Sequence, residues 1–198
     1  MLHIIITHKS SLEAERLSLQ LIDLLTEWGI PYITSANHGI SDRGNSSVIH
    51  VKIGQDSNQP LIDRGQADII ISGDPMASLN SIDFLKPTGH LVTETSGKLP
   101  KRAKSLGFKY PDTNNIITKL QVHSPNIHTI PASKLAKNVK NGVDVNSIIL
   151  GYALSLGVLP LDWNVVQHQL EKADEKPKKD KDDPIRIGYR YHQFVSPE

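Results

Sequence analysis

The chain has no cysteine among its 198 residues. A disulfide, a thiolate nucleophile and a cysteine-held iron–sulfur cluster are therefore excluded on it. Any redox step it takes part in belongs to a cofactor held elsewhere. An excess of one charge is lacking too: 22 Lys and Arg stand against 21 Asp and Glu, a formal net charge of +1. A dedicated nucleic-acid or anionic-membrane binder would carry a clear basic surplus, so neither partner is expected. No run approaches the ~20 apolar residues of a membrane span. The start, Met-Leu-His-Ile-Ile-Ile-Thr-His, lacks the basic region and small-residue cleavage site of a secretion signal. The expected compartment is the cytoplasm.

What is present is a chain long enough for one domain with a short appendage, on a lean apolar fraction of 38%. His3 to Thr7 is a short β-branched run and reads as a buried strand. Leu12, Leu17, Leu21, Leu24, Leu25 and Trp28 then follow helical periodicity, opened by a Ser10/Glu13 capping pattern and closed by Gly29. Pro31 to Ala36 reads as a second strand, giving a right-handed strand–helix–strand crossover. Val48 to Ile53 alternates apolar with polar residues, which predicts a strand with one wetter face. Ala67 to Ser72 is apolar enough for the centre of a sheet. A helix over about 76–85, a turn at Pro87-Thr-Gly89 and a strand over 90–95 follow. The Lys-, Gly- and Pro-rich stretch 96–110 reads as a surface meander. A strand at 126–130 and helices over 132–139 and 145–156 come next, then one capped by Asp162 and ending near Ala173. Residues 1–172 thus form the α/β domain. Residues 173–198 form a charged linker and tail, whose Ile185, Ile187, Tyr189, Tyr191 and Phe194 need something to pack against. The fold class is a three-layer α/β/α sandwich with a mainly parallel sheet.

The turn after the first strand is where a dinucleotide fold places its glycines, because only glycine lets backbone approach a pyrophosphate. Here it reads His8-Lys-Ser-Ser-Leu-Glu-Ala-Glu15, with no glycine. A capped helix start, disabled as a nucleotide cradle, is the expected structure. The loop His38-Gly-Ile-Ser-Asp-Arg-Gly-Asn-Ser-Ser47 differs in kind. It lies at the carboxyl end of the second strand, where open α/β sheets build their crevice. Gly39 and Gly44 suit tight turns, and Arg43 offers a fork for phosphate, carboxylate or a partner subunit. Residue types alone leave open whether this loop is a ligand site or only a long ordered turn. No His-Glu-x-x-His, no Gly-x-Ser-x-Gly and no other catalytic constellation occurs. His123 and His128 flank Pro125 with nothing obvious to complete a metal set. Asp74-Pro75 reads as a turn or helix cap; Asp68 stands at the other end of the same strand.

The pattern His-Gly-x-Ser-x-Arg-Gly-x-Ser-x-x-x-x-His-Val-x-x-Gly, from His38 to Gly54, resembles the gamma subunit or domain of 2-oxoacid:ferredoxin oxidoreductases, the pyruvate and indolepyruvate enzymes among them. Pro60-Leu-Ile with Ala67-Asp-Ile-Ile-Ile, Leu85-Lys-Pro-Thr-Gly89, Tyr110-Pro111, Ile130-Pro-Ala132 and Asn146 to Gly151 continue the similarity over residues 3–172. The resemblance implies a five-stranded parallel sheet in flavodoxin-like order and a place beside alpha and beta subunits. It also implies that no cofactor sits on this chain. Thiamine diphosphate, iron–sulfur centres and coenzyme A would belong to the assembled enzyme, which oxidatively decarboxylates a 2-oxoacid and reduces ferredoxin. On this reading His38, Gly39, Ser41, Arg43, Gly44, Ser46 and Ser47 line a crevice facing a partner subunit or the coenzyme A side of the active site. Two departures stand out. The family's Gly-x-Gly-Gly-Gln-Gly loop is replaced by His8 to Ser11, and Asp42 and Asn45 replace its usual Gln and Gly. The alternatives are a stand-alone small-molecule-binding or regulatory domain that has lost the glycine loop, and a small independent enzyme using Arg43.

Overall fold

The structure is a computed structural model, and it describes residues 1–37, 46–54, 59–99, 101–139, 143–173 and 183–195. Six strands form one sheet in the order β2-β3-β1-β4-β5-β6: β1 Leu2–His8, β2 Tyr32–Asn37, β3 Ser47–Ile53, β4 Ala67–Ser72, β5 Leu85–Glu94 and β6 Ile127–Ile130. β3 runs antiparallel to both β1 and β2, and the remaining neighbours pair in parallel. Without β3 the order is β2-β1-β4-β5-β6, the flavodoxin-like winding. The expected five-stranded parallel sheet is thus a six-stranded mixed one, because the chain turns back after β2 and inserts β3 beside β1.

Alternation along the strands builds two cores. Ile4, Ile6, Ile69, Ile71 and Val92 face one side, while Ile5, Ile70 and Leu91 face the other. The first face is covered by α1 Ser11–Glu27 and α6 Val145–Ser155, flanked by α5 Ala132–Lys137 and α7 Trp163–Ala173, with α8 Pro184–Val195 packed on α6. The second is covered by α2 Pro75–Ser81, a 3-10 turn at Ile82–Phe84 and α4 Thr113–Gln121. Strands covered on both faces have to be apolar almost throughout, which explains the Ile-Ile-Ile runs of β1 and β4. In α1, Leu17, Leu21, Leu24 and Leu25 are buried, and each contributes roughly 1.5–3 kcal/mol by leaving water. Gly29, at φ +60°, closes that helix.

Four sequence expectations change. β3 has no wet face: His50 and Lys52 are buried under residues 59–62, where His50 Nδ1 accepts from Ile62 N at 3.1 Å and Lys52 Nζ donates to the Gln59 carbonyl at 2.8 Å. The lysine stem packs while its head finds an oxygen. Pro87-Thr-Gly89 is not a free turn but an irregularity inside β5. Leu85 pairs with Ala67 and His90 with Ile69, so the extra residues bulge out there. The surface meander contains α3 Lys101–Ser105, and residues 113–121 form α4, capped by Asp112 through Asn114 N at 3.0 Å. Finally, residues 184–195 are helical.

That last helix packs on α6 with almost no gap. A Cβ on Gly151 would lie 1.9 Å from the Ile185 carbonyl oxygen, and one on Gly188 would lie 1.8 Å from that of Ile148. Two glycines thus let the backbones touch. Ile185 is buried, and Tyr189 stacks on Trp163 at 3.7 Å between ring centroids. Phe194 is 84% exposed in the chain by itself.

Candidate functional site

β1, β4 and β5 are parallel, and their carboxyl ends bring His8, Gly73, Asp74 and Ser96 to one edge. From there α1 leaves toward one face of the sheet and α2 toward the other. This is the topological switch point where open α/β sheets bind ligands. A crevice of about 400 Å³ opens there, lined among others by His8, Lys9, Glu13, Asp74, Lys98, Ser133 and Asn146.

Helix starts converge on this crevice, and an anion would need their free N–H groups. The protein's own side chains already occupy several of them. Asp74 Oδ1 accepts from Met76 N at 2.9 Å and Ala77 N at 3.2 Å. Asp144 Oδ1 accepts from Asn146 N at 3.2 Å, and its Oδ2 from Ser147 Oγ at 2.9 Å. Glu94, 1% exposed, accepts from Ser133 N at 2.7 Å and from Ser96 N at 3.0 Å. Ser10 Oγ accepts from Glu13 N at 3.4 Å, and the Glu13 carboxylate takes the Asn146 amide at 2.8 Å. Each such cap stabilises its helix by about 0.5–2 kcal/mol, which an incoming phosphate would have to match.

The floor is filled as well. The His8 ring lies against Gly73, where a Cβ would meet its Cδ2 at 2.1 Å. His8 Nδ1 accepts from Ser10 N at 2.9 Å, so the neutral ring carries its proton on Nε2. Burial holds this imidazole below the ordinary histidine range, with Lys9 adding to the effect and Asp74 and Glu13 opposing it. Tyr110 enters from the other side: its hydroxyl donates to Asp74 Oδ1 at 2.8 Å and accepts from Met76 N at 3.1 Å. Burial first, then the Asp74 charge and hydrogen bond, push this phenol far above its usual value. Lys9 Nζ sits 5.2 Å above the Tyr110 ring and donates to the Lys98 carbonyl at 3.4 Å. The glycine-free turn is a packed helix start, as its residues indicated.

Of the loop singled out in the sequence, His38, Gly39, Ser41, Arg43 and Gly44 lie outside the described residues. Its two ends are placed. Asn37 ends β2, and Ser47 begins β3 directly opposite His8 of β1. The loop therefore leaves from and returns to the rim that holds the crevice. Ser46 Oγ accepts from Asn80 Nδ2 of α2 at 3.1 Å. Ser47 is wholly buried, with its carbonyl accepting from Thr7 Oγ1 at 3.0 Å. Its side chain faces the interior, not the rim. Asp74 and Tyr110 are the central groups that sequence reasoning left at cap and similarity status. Asp68 lies at the opposite end of the sheet, where it pairs with Lys86 and accepts from His3 N at 2.8 Å.

The family model described as Pyruvate ferredoxin/flavodoxin oxidoreductase matches residues 15–181. The chain belongs to that family, the one its His38–Gly54 pattern implies. It is 28% identical over 144 residues to the indolepyruvate oxidoreductase subunit IorB of Archaeoglobus fulgidus, a match covering 73% of this chain and 71% of that one. Its fold is similar to the gamma subunit of a keto/oxoacid ferredoxin oxidoreductase from Geobacter sulfurreducens, with TM-score 0.64, 14% identity, and 99% and 100% of the two chains covered. It is similar too to pyruvate oxidoreductase subunit PORC of Thermotoga maritima, with TM-score 0.63, 18% identity, and 97% and 95% covered. At these identities the structural likeness is one of fold.

Proposed function

We propose that the chain is the gamma-type subunit of a multi-subunit 2-oxoacid:ferredoxin oxidoreductase and that it works by covering and shaping the active site from beside it. The observation that supports this most is the family match over residues 15–181, on a fold that aligns with whole gamma subunits. The assembled enzyme would oxidise a 2-oxoacid to an acyl-coenzyme A and pass the electrons to ferredoxin in the cytoplasm. A substrate of the indolepyruvate class is the first to try, since that is what the Archaeoglobus relative is named for.

This chain's own residues do not fit the cofactors of that reaction. Cysteine, the usual iron–sulfur ligand, is absent from the sequence. In the described crevice several of the amides a diphosphate would need are held by Asp74, Glu94 and Asp144. On this reading thiamine diphosphate, which would supply the stabilised carbanion chemistry of 2-oxoacid decarboxylation, is carried by the partner alpha and beta subunits. The part left to this chain is to present the 38–47 loop, with Arg43 and Ser46, toward the partner or toward coenzyme A, and to exclude water there.

Purification of the tagged chain from its native host tests the reading. Stoichiometric thiamine diphosphate and 2-oxoacid-dependent ferredoxin reduction are expected in the eluate. A lone monomer that binds a small molecule by calorimetry would replace this reading with that of a stand-alone binding domain.

A further inference from the structure

Beside the crevice, one segment combines charge and exposure found together nowhere else among the described residues. Residues 98–110 hold five of the 22 basic residues (Lys98, Lys101, Arg102, Lys104 and Lys109) and no acidic one. With a net charge of +1 for the whole chain, the rest of the protein is net −4. Lys98, Lys104 and Lys109 line one groove with Phe108, and with a Debye length of about 8 Å their charges act together there. Lys98, Lys104 and Lys109 are exposed and make no ion pair among the described residues.

The same segment turns its apolar groups outward. Leu106 is 67% and Phe108 64% exposed. The backbone there is held in a defined shape. Gly107, at φ +80°, closes α3 with Gly107 N donating to the Lys104 carbonyl at 3.1 Å and Phe108 N to that of Ala103 at 3.1 Å. A helix end of this kind normally packs the residue in Phe108's place back onto its own last turn. The segment is also clamped to the crevice: Tyr110 is bonded to Asp74, and its ring lies so close to Gly97 that a Cβ there would be 1.8 Å from Cζ. An ordered loop that presents Leu106 and Phe108 to solvent, with Lys98, Lys104 and Lys109 lining the same groove as Phe108, has the make-up of an interface core with a polar rim.

We infer that the 98–110 segment is the docking surface by which this chain holds the thiamine-bearing partner subunit, an acidic-rimmed protein surface with an apolar centre that receives Phe108. The inference rests on the subunit reading above. Charge complementarity argues for the acidic rim, and the exposed Leu106–Phe108 pair for an apolar protein centre rather than a nucleic-acid backbone. Continuity with the crevice puts that partner directly over Lys9, Asp74 and Tyr110.

The test uses the tagged chain expressed from its own locus in the native host, with bound thiamine diphosphate and partner subunits quantified after affinity purification. Three forms are compared: the triple reversal Lys98→Glu/Lys104→Glu/Lys109→Glu, the single Phe108→Ser, and a control, Val122→Ser, at an 83% exposed apolar residue just after α4. Circular dichroism and thermal melting confirm that each is folded. At least tenfold loss of partner and thiamine with both segment variants, full retention with Val122→Ser, and weaker retention by the unaltered chain at high salt are expected. Undiminished recovery with the triple reversal overturns the inference while leaving the subunit reading intact. Recovery of no thiamine-bearing partner by the unaltered chain overturns both. Loss of self-association or of nucleic-acid binding, with partner recovery unchanged, assigns the patch elsewhere and overturns the inference.

Discussion

Replacing Gly151 with alanine sets two calculable effects against each other. Within a helix, the exchange of Gly for Ala is worth about 1 kcal/mol in favour of the folded state. At this position the new methyl would lie 1.9 Å from the Ile185 carbonyl oxygen, 2.7 Å from its carbon and 2.9 Å from its Cα. All three are backbone atoms of α8, so no rotamer change relieves the clash. To reach an ordinary separation near 3.4 Å, α8 would have to retreat by 1.5 Å. That movement loosens the seat of Ile185 and the Tyr152–His192 edge-to-face pair, whose centroids are 5.1 Å apart. Overpacking of this kind costs about 1–3 kcal/mol, and the weaker dispersion along a displaced α8 adds to it. A net destabilisation of about 2 kcal/mol is expected once the helix gain is subtracted. For a chain of this length that lowers Tm by roughly 4–8 °C. Urea and thermal denaturation of the purified chain, followed by far-ultraviolet circular dichroism, give both quantities. A Gly151→Ala protein as stable as the parent, or more so, would refute the close backbone approach of α6 and α8. Combining it with Gly188→Ala should cost less than the sum of the singles, because one retreat of α8 relieves both clashes.

Three further outcomes are expected. His90 Nδ1 and His128 Nε2 lie 3.1 Å apart with stacked rings, and burial, followed by His90 and His192, brings His128 down to about 4. An unfolded imidazole takes its proton near 6.5, so between about pH 6.5 and 4 the unfolded chain binds more protons and stability falls as pH drops. Tm measured across that window should fall less steeply in His128→Gln. If that variant keeps the parental slope, His128 is not the group responsible. Asp74→Ala removes the α2 cap and the Tyr110 acceptor, and should cost about 1–2 kcal/mol. In the same variant an ultraviolet titration should show one tyrosine moving down toward the ordinary phenol range, and an unchanged titration would disprove the Asp74–Tyr110 bond. Glu94→Ala leaves Ser133 N and Ser96 N without their buried acceptor, and about 1–3 kcal/mol should disappear from the stability measured in denaturant melts.

The strands of this fold are legible because each is short, β-branched and bounded by breakers. β1, β4 and the second half of β5 need no tertiary information to be found. The helix caps Ser10, Asp74 and Asp162 are equally plain, since a short polar side chain before an apolar period has one obvious use. What escapes is set by neighbours distant in sequence. The antiparallel insertion of β3 is invisible because alternation does not encode direction, and Lys52 looks solvent-facing until residues 59–62 cover it. α4 had a signal, Asp112 followed by Ile116 and Leu120 at helical spacing, but its short period is easily taken for a connector. Glu94 had none, since a single carboxylate at a strand end does not announce four donors. In the crevice, the His8–Ser11 turn was readable as a filled site from the want of glycine, whereas Tyr110 reaches Asp74 across 36 positions of sequence.

β3 also makes the region a lever. Hydrogen-bonded to β1 on one side and β2 on the other, it begins at Ser47 opposite His8 and ends at Ile53 opposite Leu2. The strand is a stiff rod some seven residues long whose near end carries the return of the 38–46 loop and whose neighbour ends in the ring that plugs Gly73. A displacement of Ser47 is passed through the strand pairing to β1 and so to the His8 plug. The two rims of the crevice, far apart in the chain, are mechanically one part.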